Sequence, residues 1–326
     1  MLHVYGWRDD RLVRLDAAVD KGPACWIDLV SPTAAEVAAL GVLTGIDIPS
    51  RDEMDDVEPS SRLYVEDGGI FMIATLATEL ETHEPERTPV TFVLKDGRLL
   101  TVRYGQPRSF HLFVAHATFK PGEVLATGEA VMLGLIEAVI DRYADALEAK
   151  GLELDAISRR IFRKRNPNAV ESHNLQFVIE DIGRAGDFLA QIRESLSNLQ
   201  RLLTYYTALS ESRAGNKVTG STRETIKLVQ RDVSALSELS ASMAAKVTFL
   251  MDATLGLINL EQNQIIKIFS VAAVALLPPT LIASIYGMNF EVMPELQWRY
   301  GYPAAVAGMV LSAALPYFYF RKKRWL

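Results

Sequence analysis

Leu175, Val178, Ile182, Ala185, Leu189, Ile192, Leu196, Leu199, Leu203 and Tyr206 follow one another in steps of three and four without exception, the spacing of a coiled-coil seam. A second series keeps the same steps: Ile226, Val229, Val233, Leu236, Ser240, Met243, Val247, Leu250, Thr254 and Leu257, with Ser240 and Thr254 as polar exceptions. Ser212 to Ser221, with Gly215 and Gly220, reads as the turn between them. Upstream, Val131 to Phe162 is an amphipathic helical pattern broken by Asn166-Pro167-Asn168. From Thr222 only Gly256 opposes a helix before Pro278, so the pattern predicts one helix running on into the apolar stretch Ile268 to Ile285. At about 1.5 Å per residue, some 60 residues would reach roughly 90 Å.

The period differs before residue 128. Trp26 to Val30, Leu63 to Leu76, Val90 to Leu94 and Leu99 to Tyr104 are short apolar stretches, and Asp96-Gly97 between the last two is a hairpin signal. At least one antiparallel pair is expected, and Tyr64-Val65-Glu66-Asp67-Gly68 should turn between strands. Ser31-Pro32-Thr33-Ala34-Ala35-Glu36 starts a helix: Pro32 at the first position favours Ser31 as cap, while Glu36 favours Thr33. The expected organisation is a mixed α/β domain over 1–127, long helices and stalk over 128–264, and a membrane part over 265–326.

The membrane part follows from charge. Ile268 to Ile285 and Tyr302 to Phe320 are each about long enough to cross a bilayer, and between Ile268 and Phe320 the only charges are Glu291, Glu295 and Arg299, all in the connecting loop. Lys267 precedes the first span and Arg321-Lys322-Lys323-Arg324 follow the second, which puts both termini in the cytoplasm and loop 287–299 outside. Trp298, Tyr300 and Tyr302, with Tyr317, Tyr319 and Trp325, stand where rings settle at headgroup layers. No charged, apolar and cleavage-site series precedes Trp26, so nothing sends the N-terminus across. The single cysteine, Cys25, reads as a small buried hydrophobe.

Other chemistry is sparse. The sequence has no Gly-rich phosphate loop, no zinc-spaced cysteines and no nucleophile elbow. His3, His83 and His173 are scattered, and His111 and His116 are five apart, off a common helix face. No enzyme and no nucleic-acid partner is expected. Asn263, Ile266, Ser270, Ala273, Leu277, Thr280 and Ser284 share one face of the first span, with Phe269 competing for the turn of Ser270. Small and hydroxylated residues there mean either close helix packing or a water-lined pore wall. Two spans cannot enclose a pore, because lipid supplies no polar wall, so the second reading requires a ring of subunits; the two seams point to association as well.

Tyr286-Gly287-Met288-Asn289, then Met293-Pro294-Glu295-Leu296, Gly301-Tyr302-Pro303 and a basic tail ending Trp325-Leu326 resemble, in that order, the CorA family of magnesium transporters. Looser likeness extends upstream through Trp26-Ile27-Asp28-Leu29 and Asp96-Gly97-Arg98-Leu99. The resemblance implies a funnel-shaped homopentameric channel: an α+β cytoplasmic domain, long coiled-coil stalk helices and two transmembrane helices. It would carry Mg²⁺, and also Co²⁺ and Ni²⁺, inward and be gated by cytoplasmic Mg²⁺. Selectivity is expected at Gly287, Met288 and Asn289, and the pore lining at Asn263, Ile266, Phe269, Ser270, Ala273, Leu277, Thr280 and Ser284. Asp232, Asp252, Glu66 and Asp67 are candidate regulatory ligands that match no family motif. A zinc-transporting branch, whose signature departs from this one, and a membrane-anchored sensor or scaffold are the alternatives.

Overall fold

A computed structural model describes residues 1–15, 24–56, 58–82, 85–119, 125–162, 174–212, 220–289 and 293–323. Two compact units emerge, Met1–Met251 and Asp252–Leu326. The expected break at 166–168 and residues 213–219 of the expected Ser212–Ser221 turn, with His83 and His173, lie outside the described residues, while Ser212 ends one helix and Gly220 and Ser221 begin the next.

Unit one is built on a seven-stranded sheet: β1 (Leu2–Arg8), β2 (Arg11–Leu15), β3 (Ala24–Val30), β4 (Leu63–Glu66), β5 (Gly69–Thr78), β6 (Glu86–Lys95) and β7 (Arg98–Arg103). The strand order is β2-β1-β3-β7-β6-β5-β4, antiparallel throughout except for the β3–β7 pair. Asp96 and Gly97 take φ of 50° and 74° between Lys95 and Arg98, the two positive values that a tight hairpin matching strand twist demands. Asp67 and Gly68 repeat the device at 48° and 78°, which folds the single stretch read from Leu63 to Leu76 into β4 and β5. The β1–β2 pair, turned by Asp9 and Asp10, was not among the strands expected from sequence.

The helices of this unit are α1 (Ala34–Thr44), α2 (Arg51–Met54), α3 (Pro59–Arg62), α4 (Arg108–Phe119), α5 (Gly128–Phe162), α6 (Asn174–Ser212) and the first part of α7 (Gly220–Tyr286). Thr33 is the cap of α1, closing a capping box with Glu36. Both sheet faces are covered. Leu29, Phe71, Ile73, Val93, Leu100 and Val102 pack with Leu40, Ile46, Ile48 and Met54 on one side. Trp26 meets Phe110 and Phe113 of α4 on the other. Strands buried on two faces need no polar alternation, and this accounts for the apolar runs of β5 and β7.

Trp26-Ile27-Asp28-Leu29 is structural. Asp28 is buried, accepts from Arg103 at 2.8 and 3.1 Å and from Thr101 at 2.7 Å, and Trp26 Nε1 donates to Thr101 at 2.9 Å. Because β3 and β7 run in register (Asp28 beside Thr101), this network ties the two parallel strands together. Cys25 is buried, donates to Tyr5 O at 3.5 Å, and burial pushes its thiol up.

All ten seam residues of α6 are buried within the chain, where the helix packs on β5 and α5. Ala77 N–H, beyond the end of short β4, meets the hydroxyls of Tyr143 on α5 (2.8 Å) and Ser195 on α6 (2.7 Å), so the helices satisfy the open strand edge. Within unit one the seam on α7 mostly turns inward too: Ile226, Val229, Val233, Ser240, Met243 and Leu250 are buried, Leu236 and Val247 are half-buried, and Ser240 donates to Leu189 O at 3.4 Å. The α6 seam is thus satisfied intramolecularly and gives no reason to expect a second subunit.

Unit two contains the remainder of α7, a 3₁₀ turn at Pro294–Gln297 and α8 (Gly301–Lys322). The helix runs through Pro278 and Pro279, which lack N–H groups and so free the carbonyls of Val274 and Ala275.

Candidate ion path in the two-helix unit

On α7 after residue 262 the least exposed positions are Val271, Ala275, Pro278, Pro279 and Ile282, which lie toward one side of the helix. α8 approaches that side at Ile282, where a Cβ added at Gly308 would lie 4.0 Å from Ile282 Cδ1. Asn263, Ile266, Phe269, Ser270, Ala273, Leu277, Thr280 and Ser284 are all exposed. At about 100° per residue their mean direction points away from that side. Packing between these two helices therefore does not account for the polar, small face. Thr280 donates its proton to Leu276 O at 2.7 Å, leaving oxygen lone pairs to face outward. Those are the atoms that a hydrated cation's water hydrogens can bond.

The helix ends at Tyr286. Gly287 N–H still donates to Ala283 O at 2.9 Å and Met288 N–H to Ile285 O at 3.2 Å, after which Asn289 leaves the helix with its side chain exposed. Gly287 does not adopt the left-handed backbone that would explain a glycine; a Cβ there would stand 3.1 Å from Ala283 O. Space against the last turn is the constraint. Phe290, Glu291 and Val292 lie outside the described residues, as does the side chain of Glu295. Trp298 and Tyr300, 6.1 Å apart edge to face, Tyr302, Tyr317 and Tyr319 are exposed, and Lys323 Nζ sits 5.3 Å over the Tyr319 ring.

The four regulatory candidates are not brought together. Glu66 and Asp67 are exposed at the β4–β5 turn, where Asp67 has the turn's positive φ. Asp232 and Asp252 are exposed on α7, and no group of three metal-ligating side chains occurs among the described residues. The structure adds a feature that sequence reading missed: on α5, partial burial, Asp145 and then Asp232 hold the Asp141 carboxyl above its usual range. The like-charge pair Asp141 and Asp145, four apart on a helix, was the available signal.

Both candidate spans are exposed rather than buried, with mean hydropathy 2.1 and 1.4 over their best windows, and neither lies near the N-terminus. They are not the core helices of a soluble protein, nor a leader segment. A large α/β part followed by two exposed apolar helices and a short loop defines a two-span helical membrane protein. The sequence profile of the family described as "CorA-like Mg2+ transporter protein" matches residues 22–322. The magnesium transport protein CorA of Yersinia pseudotuberculosis is 34% identical over 330 residues, and that of Escherichia coli 35% over 331, each alignment covering 100% of both chains. The complete structure of the CorA magnesium transporter from Methanocaldococcus jannaschii superposes with a TM-score of 0.77 at 22% identity, covering 100% of this chain and 99% of that one. The chain belongs to the CorA family.

Proposed function

We propose that this chain transports Mg²⁺ across the cell inner membrane, as substrate, through a channel formed by five copies. What carries the reading is identity along the whole chain to proteins named for magnesium transport. The exposed face of α7 is consistent with it, since it offers oxygen atoms in a row. Residues 1–127 and 128–264 would lie in the cytoplasm with both termini, and 265–326 in the membrane with loop 287–299 outside.

Mg²⁺ dehydrates reluctantly, so its first contact should be with neutral dipoles that touch the water shell. Rings of Asn289 side-chain oxygens and Gly287 carbonyls, flanked by Met288, would supply them, and binding that weak also lets the ion leave. Further in, Ser284, Thr280, Ser270 and Asn263 form polar rings, while Leu277, Ile266 and Phe269 form apolar constrictions that close by dewetting, with Ala273 between. An inside-negative potential of about 100 mV is worth about 2.3 kcal/mol per charge, hence about 4.6 for Mg²⁺, and drives uptake without a nucleotide. Co²⁺ and Ni²⁺, which carry the same charge, would pass by the same route.

Cytoplasmic Mg²⁺ would also regulate. Asp232, whose charge acts on the Asp141 carboxyl, is the strongest of the ligand candidates, ahead of Asp252, Glu66 and Asp67, because a cation there relieves repulsion already present. Uptake into liposomes containing the purified chain tests the whole reading. Mg²⁺ entering under an inside-negative potential supports it; Zn²⁺ entering in its place, or no flux of either ion, overturns it.

A further inference from the structure

One cavity in unit one gathers cationic and hydroxyl donors around the Glu81 carboxylate, and we propose that it is a binding site for a small tetrahedral oxyanion, with Glu81 as its internal competitor. The cavity, about 90 Å³, lies between the end of β5, Glu79 to Glu81 beyond it, the first turn of α4 and the middle of α5. That is far below the roughly 300–1,000 Å³ of pockets for organic ligands, and it suits one orthophosphate-sized ion.

Arg108 opens α4 and Arg142 stands on α5, yet both guanidinium groups donate to the same atom, Glu81 Oε1, Arg142 at 2.7 Å. That carboxylate oxygen marks where an oxyanion's oxygen would sit. Two guanidinium groups thus converge on one carboxylate oxygen, with Asp145 farther off at 3.8 Å from Arg142 and Glu79 also on the cavity wall. Ser109 lines the same cavity at 5% exposure, and its hydroxyl has no partner among the described residues. The N-terminus of α4, a 12-residue helix whose first N–H groups lack helical partners, borders the space too. Glu81 is 60% exposed, so it can swing into solvent when an oxyanion takes its place.

Thermal unfolding of the purified full-length chain in detergent, in sodium phosphate against sodium chloride at matched pH and ionic strength, tests this independently of transport. Glu81→Gln removes the competing charge but not the arginines, and it should show phosphate-dependent stabilisation at roughly tenfold lower phosphate than wild type. Sulfate should act like phosphate and nitrate should not. Adding Ser109→Ala to Glu81→Gln should weaken the response, and adding Arg142→Gln should abolish it. Arg108→Gln provides the same comparison should the Arg142 variant not fold. A Glu81→Gln protein no more responsive to phosphate than wild type, or a response that survives loss of either arginine, overturns the proposal.

Discussion

Leu277 and Val271 stand about 120° apart around α7, the first exposed and the second buried, and replacing each by glycine separates a pore wall from a packing surface. Either change weakens the helix by about 1 kcal/mol through backbone entropy. Val271 is 5% exposed, so its loss also leaves a void. At about 24 cal/mol per Å³, an isopropyl-sized cavity of roughly 60–80 Å³ adds on the order of 1.5–2 kcal/mol. Leu277 is 66% exposed and its loss opens no cavity inside the chain. Val271→Gly should therefore lower the thermal midpoint in detergent by about 5–12 °C and Leu277→Gly by about 2–4 °C, at roughly 2–4 °C per kcal/mol. Flux should respond in the opposite order. In liposomes at a lumenal Mg²⁺ concentration that silences the wild type, Leu277→Gly should leak and Val271→Gly should not, because only the first removes an apolar constriction. Equal leak from both variants would mean that the conducting face of α7 has been assigned wrongly.

Asn289→Ala should abolish Mg²⁺ uptake while the protein stays folded and assembled by size-exclusion chromatography, since an exposed amide contributes little to packing; near-normal uptake refutes the ring of amides. Gly128 N–H donates to Gly97 O at 2.7 Å and an added Cβ would fall 2.3 Å from Arg98 C and Leu99 N, so Gly128→Ala must displace the β6–β7 hairpin or the start of α5. Its cost should be about 3 kcal/mol or more, whereas Gly183→Ala, with nothing within 4 Å of its Cβ, should stabilise by about 0.4–1 kcal/mol; denaturant titration of the two ranks them, and a neutral Gly128→Ala is the refuting result. Burial holds the Glu129 carboxyl above its usual range, so folding takes up a proton and stability falls as pH rises from the ordinary value near 4.3 through the raised one. Glu129→Gln, still able to accept from the Tyr206 hydroxyl, should flatten that part of the pH–stability curve; an unchanged slope would exclude Glu129 as its source.

Local rules carried far in this chain where one residue type has one structural job. Asp96-Gly97 marked its hairpin because few pairs tolerate two positive φ values, and Thr33 with Glu36 marked the start of α1 because the box needs both side chains. The rule failed where chemistry was less selective. Asp9-Asp10 turns a hairpin as well, at φ of 49° and 56°, but aspartates in a charged stretch read equally as a solvated loop. Gly287 shows a different limit: its backbone is not left-handed, and a Cβ there would stand 3.1 Å from Ala283 O, a crowding that no local spacing displays. Asp141 escaped notice because its environment is assembled from two helices, and no spacing within one helix reveals a neighbour such as Asp232 on another.

Regular apolar spacing alone cannot say what will cover a seam. The α6 series is as regular as any coiled coil, yet the chain covers it with β5 and α5, so its regularity carries no information about partners. The polar face of α7 after residue 262 is less regular and stays exposed. A stripe tells of assembly only when the chain's own elements have failed to bury it, and the approach of α8 at Ile282 lies on another side of α7. The proposed ring of subunits accordingly rests on the exposed oxygen-bearing side chains at Ser270, Thr280 and Ser284, which a water-lined wall would use.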